Sequence, residues 1–107
     1  MIVFNNLTKS TNCEPGVSRK VLSYNEELMM CEIAFEKDAK GNRHHHKHLQ
    51  ITYVLSGSFD FTIDHETVRV NKGDSILIPS GAEHEVHCIE AGMLLDVFNP
   101  MRKEFLE

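Results

Sequence analysis

The strongest constraint on the fold is an alternation of apolar and polar side chains in short segments separated by turn residues. It is clearest at 58–64, where Phe59, Phe61 and Ile63 alternate with polar residues. Successive side chains of a β-strand point to opposite faces of a sheet, so the pattern predicts a half-buried strand. Further strands are predicted at 17–24, 28–37, 50–56, 68–70, 75–78, 84–89 and 93–98, with turns or loops at 12–16, 37–42, 56–57, 64–66, 72–74, 79–81 and 90–92. No segment has a sustained helical period, so we expect an all-β sandwich or barrel.

Composition limits the classes of partner. A chain of 107 residues is expected to form one domain (1–107), divided into N-terminal strands (1–27), a central β core (28–98) and a short tail (99–107). The formal net charge of −5 and the scattered basic residues argue against nucleic-acid binding. Three cysteines without a CxxC motif predict neither a disulfide framework nor a zinc ribbon. With no leader-like or membrane-spanning apolar stretch, we expect a cytoplasmic protein.

The histidines are concentrated in one place. Four of the seven lie within residues 44–48, and neutral imidazole is the commonest ligand of transition metals. If this run were part of a strand, His44, His46, His48 and Gln50 would share one face. The run therefore predicts a metal site, with a solvated histidine-rich loop as the weaker alternative. His48 has the parity of a ligand, but we favour contact with the substrate or support of the ligands.

Two spaced motifs carry a family resemblance. The first is His44-x-His46, then Gln50 and Gly57; the second is Gly73, Pro79-x-Gly81 and His84. Their order resembles the paired motifs of cupins, which implies an RmlC-like double-stranded β-helix, or jelly-roll barrel. The resemblance implies one divalent transition metal (Ni²⁺, Zn²⁺, Mn²⁺ or Fe²⁺) held by His44, His46, Gln50 and His84. Gln50 replaces the usual glutamate, which leaves more positive charge on the metal for a substrate anion.

The last predicted strand and the tail contain a second group of candidate residues. Leu94, Asp96 and Phe98 share one parity, so Asp96 is expected to be a carboxylate inside an apolar cavity, suited to proton transfer. Arg102 follows Pro100 and could bind a carboxylate through its planar fork of donors. The alternatives are a surface ion pair for Asp96, core packing for Phe98 and a solvated tail for Arg102.

A closer resemblance covers nearly the whole chain. Residues 17–22, 28–30, 50–54, 73–75 and 95–106 are similar to the small pectin-degradation cupins of the KdgF type. These act on 4,5-unsaturated uronate monosaccharides from pectin or alginate and promote ring opening to a linear keto sugar acid. The resemblance implies catalysis by Asp96 and Arg102, and substrate binding by Phe98 and Arg102, with His48 added from its parity.

The sequence is compatible with two other functions. The same ligands could serve a cupin dioxygenase, or a non-catalytic cupin that binds a sugar acid or a metal. A non-redox isomerase or lyase-type enzyme with a small carboxylated sugar as substrate is the favoured interpretation.

Residues 93–98 are apolar on both faces, which predicts a covered outer face or a dimer interface. Together with the habit of the family, this predicts a homodimer.

Overall fold

The computed structural model describes residues 1–107 and contains only β-strands and two short 3₁₀ helices. The helices are Asn5–Leu7 and Lys103–Leu106. The strands are β1 (Thr11–Glu14), β2 (Val17–Tyr24), β3 (Met29–Phe35), β4 (Lys40–His44), β5 (Leu49–Ile63), β6 (Glu66–Asn71), β7 (Ser75–Ile78) and β8 (His84–Asn99). The prediction of an all-β chain is confirmed.

Two long strands organise the sheet. All pairings are antiparallel, and the main order is β1-β2-β3-β8-β5-β6. The first part of β8 pairs with β4 and its second part with β3. In the same way β5 pairs with β7 near its start and with β6 near its end. Each long strand therefore passes from one set of partners to another, and this closes the sheet around an interior.

Glycines mark the bends of these strands. The sequence predicted breaks at 56–57 and 90–92, but β5 and β8 run through both positions, so these two predictions are wrong. A Cβ on Gly92 would lie 2.1 Å from the Ser56 carbonyl oxygen, and a Cβ on Gly57 would lie 2.5 Å from the Glu90 carbonyl oxygen. The register of the β5–β8 pairing also shifts between Val54 and Phe59. The glycines permit close backbone approach at a bulge, where the strand bends without ending.

The histidine run does not form one strand, so the condition under which its alternate residues would share a face is not met. β4 ends at His44 and β5 begins at Leu49, so residues 45–48 form a loop. Part of the predicted polar loop at 37–42 belongs to β4, and β1 occupies most of the predicted turn at 12–16. β4 is polar because most of its residues are exposed, while its backbone pairs with β8. Backbone pairing alone can hold a strand that has little apolar character.

The interior contains an apolar core and a small number of buried polar residues. Phe35 and Phe59 pack edge-to-face with ring centroids 5.3 Å apart. Two apolar clusters fill the interior. The larger consists of Val17, Phe35, Ala39, Val54, Phe59, Phe61, Val70, Ile78, Cys88 and Leu94. The smaller consists of Met29, Cys31 and Phe98. The buried polar residues are Gln50, Thr52, Ser58, His84 and Asp96. Burying a polar group is costly unless it is hydrogen-bonded. Gln50, Thr52 and Asp96 are joined by hydrogen bonds, which marks a candidate site, whereas Ser58 bonds Asn71.

The cysteines form no disulfide. Cys13 is exposed, while Cys31 and Cys88 are buried and free. Neither 3₁₀ helix is long or apolar enough to cross a membrane. The cytoplasmic location stays a prediction.

Candidate metal centre and cavity

Three of the four predicted ligands converge on one point. His44 ends β4, His46 lies in the loop and His84 begins β8; their potential ligand atoms all lie within 4.8 Å of one another. The β4–β8 pairing places His44 directly opposite His84, with ring centroids 4.2 Å apart. The cluster is therefore assembled from two strands and a loop instead of one face of a single strand.

Backbone carbonyls orient the three rings. The Nδ1 atoms of His44, His46 and His84 lie 2.7, 3.0 and 3.0 Å from carbonyl oxygens two residues away. A carbonyl can only accept, so each Nδ1 carries the proton and each Nε2 keeps a lone pair. Metal-binding histidines are typically held in this way.

Burial favours the neutral form of the His46 and His84 imidazoles. The pKa of His84 is lowered to about 4, mainly by burial and also by the nearby His44, His46 and Arg102, while the bond to the Ala82 carbonyl opposes the shift. The pKa of His46 is also lowered, first by burial and then by Arg102. The Nε2 atom of His84 is buried and has no hydrogen-bond partner. A metal ion is the kind of partner that such a lone pair fits.

Gln50 completes the donor set. It is the first residue of β5 that pairs with β7, is 5% exposed, and places Oε1 3.0 Å from His46 Nε2. With Nδ1 of His46 protonated, both facing atoms carry lone pairs, and a cation between them would relieve their repulsion. Three imidazole nitrogens and one amide oxygen suit a first-row transition metal better than an all-oxygen ion such as Ca²⁺. These residues therefore fit the predicted metal.

Asp96 lies opposite Thr52 across the β5–β8 pairing and is almost fully buried. Thr52 Oγ1 donates a hydrogen bond of 2.6 Å to Asp96 Oδ1. Burial raises the pKa of Asp96 to about 6, although the hydrogen bonds of Thr52 and Gln50 and the charge of Arg102 lower it. A carboxyl group with a pKa near neutrality can both take up and release a proton.

One cavity connects these groups. Its volume is about 370 Å³, within the range of small-molecule sites. Apolar residues that include Ile33, Phe61 and Leu94 form its walls. Its lining includes six of the predicted site residues, namely His44, Gln50, His84, Asp96, Phe98 and Arg102.

The C-terminal tail brings Arg102 to this cavity. The guanidinium carbon lies 5.2 Å from the ring centroid of Phe98 and 4.4 Å from that of Phe105. The Arg102 side chain is 14% exposed and pairs with the Glu104 carboxylate. Arg102 therefore lies over aromatic rings at the cavity, in place of the solvated tail that was the alternative.

Arg19 was missed by the sequence analysis. It lines the same cavity, its guanidinium carbon lies 3.8 Å from the Phe105 ring centroid, and its Nε is buried without a hydrogen-bond partner. Arg19 shares the parity of the buried Val17 on β2. An inward-facing charge was therefore the signal that could have identified it.

The structure does not bring His48 into the cavity. His48 lines a separate surface depression with Met101 and Glu104. Its ring packs edge-to-face against the His46 ring with centroids 5.4 Å apart, and its backbone carbonyl accepts a hydrogen bond from His46 Nδ1. Burial and then Arg102 lower the pKa of His48. His45 and Lys47 are exposed.

Comparison with known proteins agrees with this geometry. The Cupin domain family matches residues 31–98. The "Pectin degradation protein KdgF" of Dickeya dadantii (strain 3937) is 38% identical over 93 residues, covering 85% of this chain and 84% of that protein. This chain is a KdgF-like cupin.

Solved structures show the same architecture for this KdgF-like cupin. An RmlC-like cupin from Shewanella frigidimarina NCIMB 400 matches with a TM-score of 0.94 and 35% identity, covering 97% of this chain and 94% of the other. KdgF from Halomonas sp. matches with a TM-score of 0.93 and 29% identity, covering 98% and 97%. The predicted family and the RmlC-like cupin fold are confirmed.

Proposed function

We propose that this KdgF-like cupin opens and ketonises 4,5-unsaturated uronate monosaccharides, from pectin or alginate breakdown, to a linear keto sugar acid. The observation that carries the proposal is a buried carboxyl, Asp96, with its pKa raised to about 6 in a cavity that is also lined by three of the four metal donors and by Arg102. The relatives named for pectin degradation and KdgF support the substrate class. The enzyme would be a metal-dependent, non-redox isomerase or lyase-type catalyst.

Binding would use both ends of the cavity. His44, His46, Gln50 and His84 would hold one divalent metal (Ni²⁺, Zn²⁺, Mn²⁺ or Fe²⁺), which when bound supplies Lewis acidity toward a sugar oxygen. Arg102 would bind the sugar carboxylate through two parallel hydrogen bonds. Phe98 would pack against the sugar ring. The aromatic and aliphatic walls would exclude water around the reacting atoms.

Asp96 would move the proton. Ring opening breaks the hemiacetal bond between the anomeric carbon and the ring oxygen; the hydroxyl proton leaves as the aldehyde carbonyl forms, and the ring oxygen keeps the bonding electrons and takes up a proton to become the enol oxygen. Ketonisation adds a proton to the enol carbon and removes one from the enol oxygen. The overall change is an isomerisation with no redox step, so one group that alternates between base and acid is sufficient. The raised pKa of Asp96 suits this alternation.

The test is a direct assay. Purified, metal-loaded protein is added to the monosaccharides of a lyase digest, and the enol chromophore is followed; we expect faster decay than without protein. D96N should remove the acceleration while bound metal, measured by elemental analysis, stays unchanged. D60N is the matched control, since Asp60 pairs with Arg69 outside the cavity. Wild-type decay at the protein-free rate contradicts the proposed substrate, and full activity of D96N contradicts the role of Asp96.

We also propose that the outer face of the sheet forms a homodimer interface. Cross-strand pairing aligns Met30, Val97, Ile51 and Leu77 in one row across β3, β8, β5 and β7. Ile51 and Leu77 are 51% and 57% exposed, and a continuous apolar row on a sheet face is typical of an interaction surface. We expect I51E to be monomeric in sedimentation velocity at concentrations where the wild type is dimeric. A monomeric wild type contradicts the proposal.

A further inference from the structure

Three buried polar side chains form a chain of hydrogen bonds between the metal centre and Asp96. Gln50 Nε2 donates to Thr52 Oγ1 over 2.9 Å, and Thr52 Oγ1 donates to Asp96 Oδ1 over 2.6 Å. Thr52 is 0% exposed and does not line the cavity. It therefore has no direct contact with a substrate, yet it contacts both halves of the candidate site.

The direction of these bonds follows from a proton count. A threonine hydroxyl has one hydrogen, and Thr52 donates it to Asp96. The hydroxyl oxygen must then accept from Gln50, so the amide NH₂ faces Thr52 and Oε1 faces His46. Only the oxygen end of an amide can bind a cation, so Thr52 selects the amide orientation that is competent for metal binding.

We propose that Thr52 is a positioning residue that fixes the Gln50 amide with its oxygen toward the three imidazoles and holds the Asp96 carboxylate in the cavity. The part that concerns Asp96 rests on the proposed function. The same chain accounts for an amide at position 50. A glutamate there would place two carboxylates beside one hydroxyl that has a single proton to donate.

Two substitutions of Thr52 test the role of its hydroxyl group separately from the size of its side chain. T52V keeps the shape and removes the hydroxyl, whereas T52S keeps the hydroxyl and removes a methyl group. T62V is the matched control, because Thr62 lies on the same strand and its hydroxyl bonds only Thr67, away from the cavity.

The first measurement is Ni²⁺ affinity, by competition with a chelator on metal-stripped protein. Removing a group that orients a metal ligand typically weakens affinity about 10- to 100-fold, and we expect this loss for T52V. T52S and T62V should bind Ni²⁺ close to the wild type. In the uronate assay, T52V should lower kcat more than it raises KM, since Thr52 contacts no substrate. Unchanged Ni²⁺ affinity of T52V, or an equal loss in T52S, overturns the proposal.

The second measurement needs neither metal nor substrate. In the NMR spectrum of the metal-free wild type, one Gln50 side-chain amide proton should exchange slowly with solvent, because it is buried and bonded to Thr52. The protection should persist in T52S and disappear in T52V. A freely exchanging amide in the wild type overturns the proposal, even if T52V does not fold. If the wild type lacks uronate activity, the proposed function fails while this measurement still decides the role of Thr52.

Discussion

Replacing Asp96 with asparagine is expected to stabilise the metal-free protein above pH 6, even though it removes the proposed proton-transfer group. Burial raises the pKa of Asp96 to about 6, whereas an aspartate in an unfolded chain has a pKa near 3.9. The folded state therefore favours the protonated form. The stability that the protonated Asp96 carboxyl contributes to the folded state is fully present below about pH 3.9 and is lost as the pH rises through about 6.

The magnitude follows from the size of the shift. Each pKa unit corresponds to about 1.36 kcal/mol, so a shift of about two units makes the ionised carboxylate cost about 3 kcal/mol at pH 8. Asparagine keeps an acceptor oxygen for Thr52 and carries no charge. D96N should therefore gain about 3 kcal/mol relative to the wild type between pH 4 and pH 8, or on the order of 10 °C in Tm.

Urea unfolding of chelator-treated protein at several pH values provides the measurement. The titration of His46 and His84 occurs in both proteins and cancels in the difference between them. D60N is the control with opposite sign, because Arg69 lowers the pKa of Asp60 and its ionised form stabilises the fold. If the difference in unfolding free energy between D96N and the wild type stays constant from pH 4 to pH 8, the conclusion that burial raises the pKa of Asp96 is wrong.

Three further predictions concern the bend, the thiols and the metal. G92A should destabilise the fold by about 3 kcal/mol in urea unfolding, because its Cβ would meet the backbone at Ser56. G81A meets no atom and should cost only about 1 kcal/mol for its positive φ; equal costs would contradict this account of the bend. A thiol reagent should modify the exposed Cys13 and not Cys31, whose pKa burial raises to about 12; rapid loss of two thiols in the native protein would refute it. H84A should lose bound metal in elemental analysis, and full occupancy would remove His84 from the ligand set.

Much of the fold could be predicted because side-chain alternation is a local property. The strands at 17–24 and 75–78 are found at these positions. The errors lie at 44–50, 56–57 and 90–92, where long-range pairing decides the backbone path. Gly57 and Gly92 indicate a special backbone site, but only the close approach of β5 and β8 shows that it is a bulge and not a strand end.

The residue types of the candidate site could be predicted from the sequence, but their arrangement in space could be predicted only in part. His44, His46, Gln50 and His84 were selected by family spacing, and the structure brings their donor atoms together. Parity put His48 on the ligand face, with support of the ligands or contact with the substrate favoured for it. The run leaves the strand after His44, and the His48 ring packs against the His46 ring instead of lining the cavity. Thr52 was missed because no local pattern distinguishes it from other residues on its strand, whereas Arg19 could have been identified by its inward-facing parity with Val17.

The sequence by itself determined the all-β class, the cupin family and the donor types available to a metal. Tertiary structure alone decided which way the Gln50 amide faces, how strongly Asp96 holds its proton and which arginines reach the cavity. Hydrogen-bond direction and burial depend on groups far apart in the chain, such as Thr52 and Asp96, which are separated by 44 positions. Such groups meet only when β5 and β8 pair, and the chemistry of the site is set at that contact.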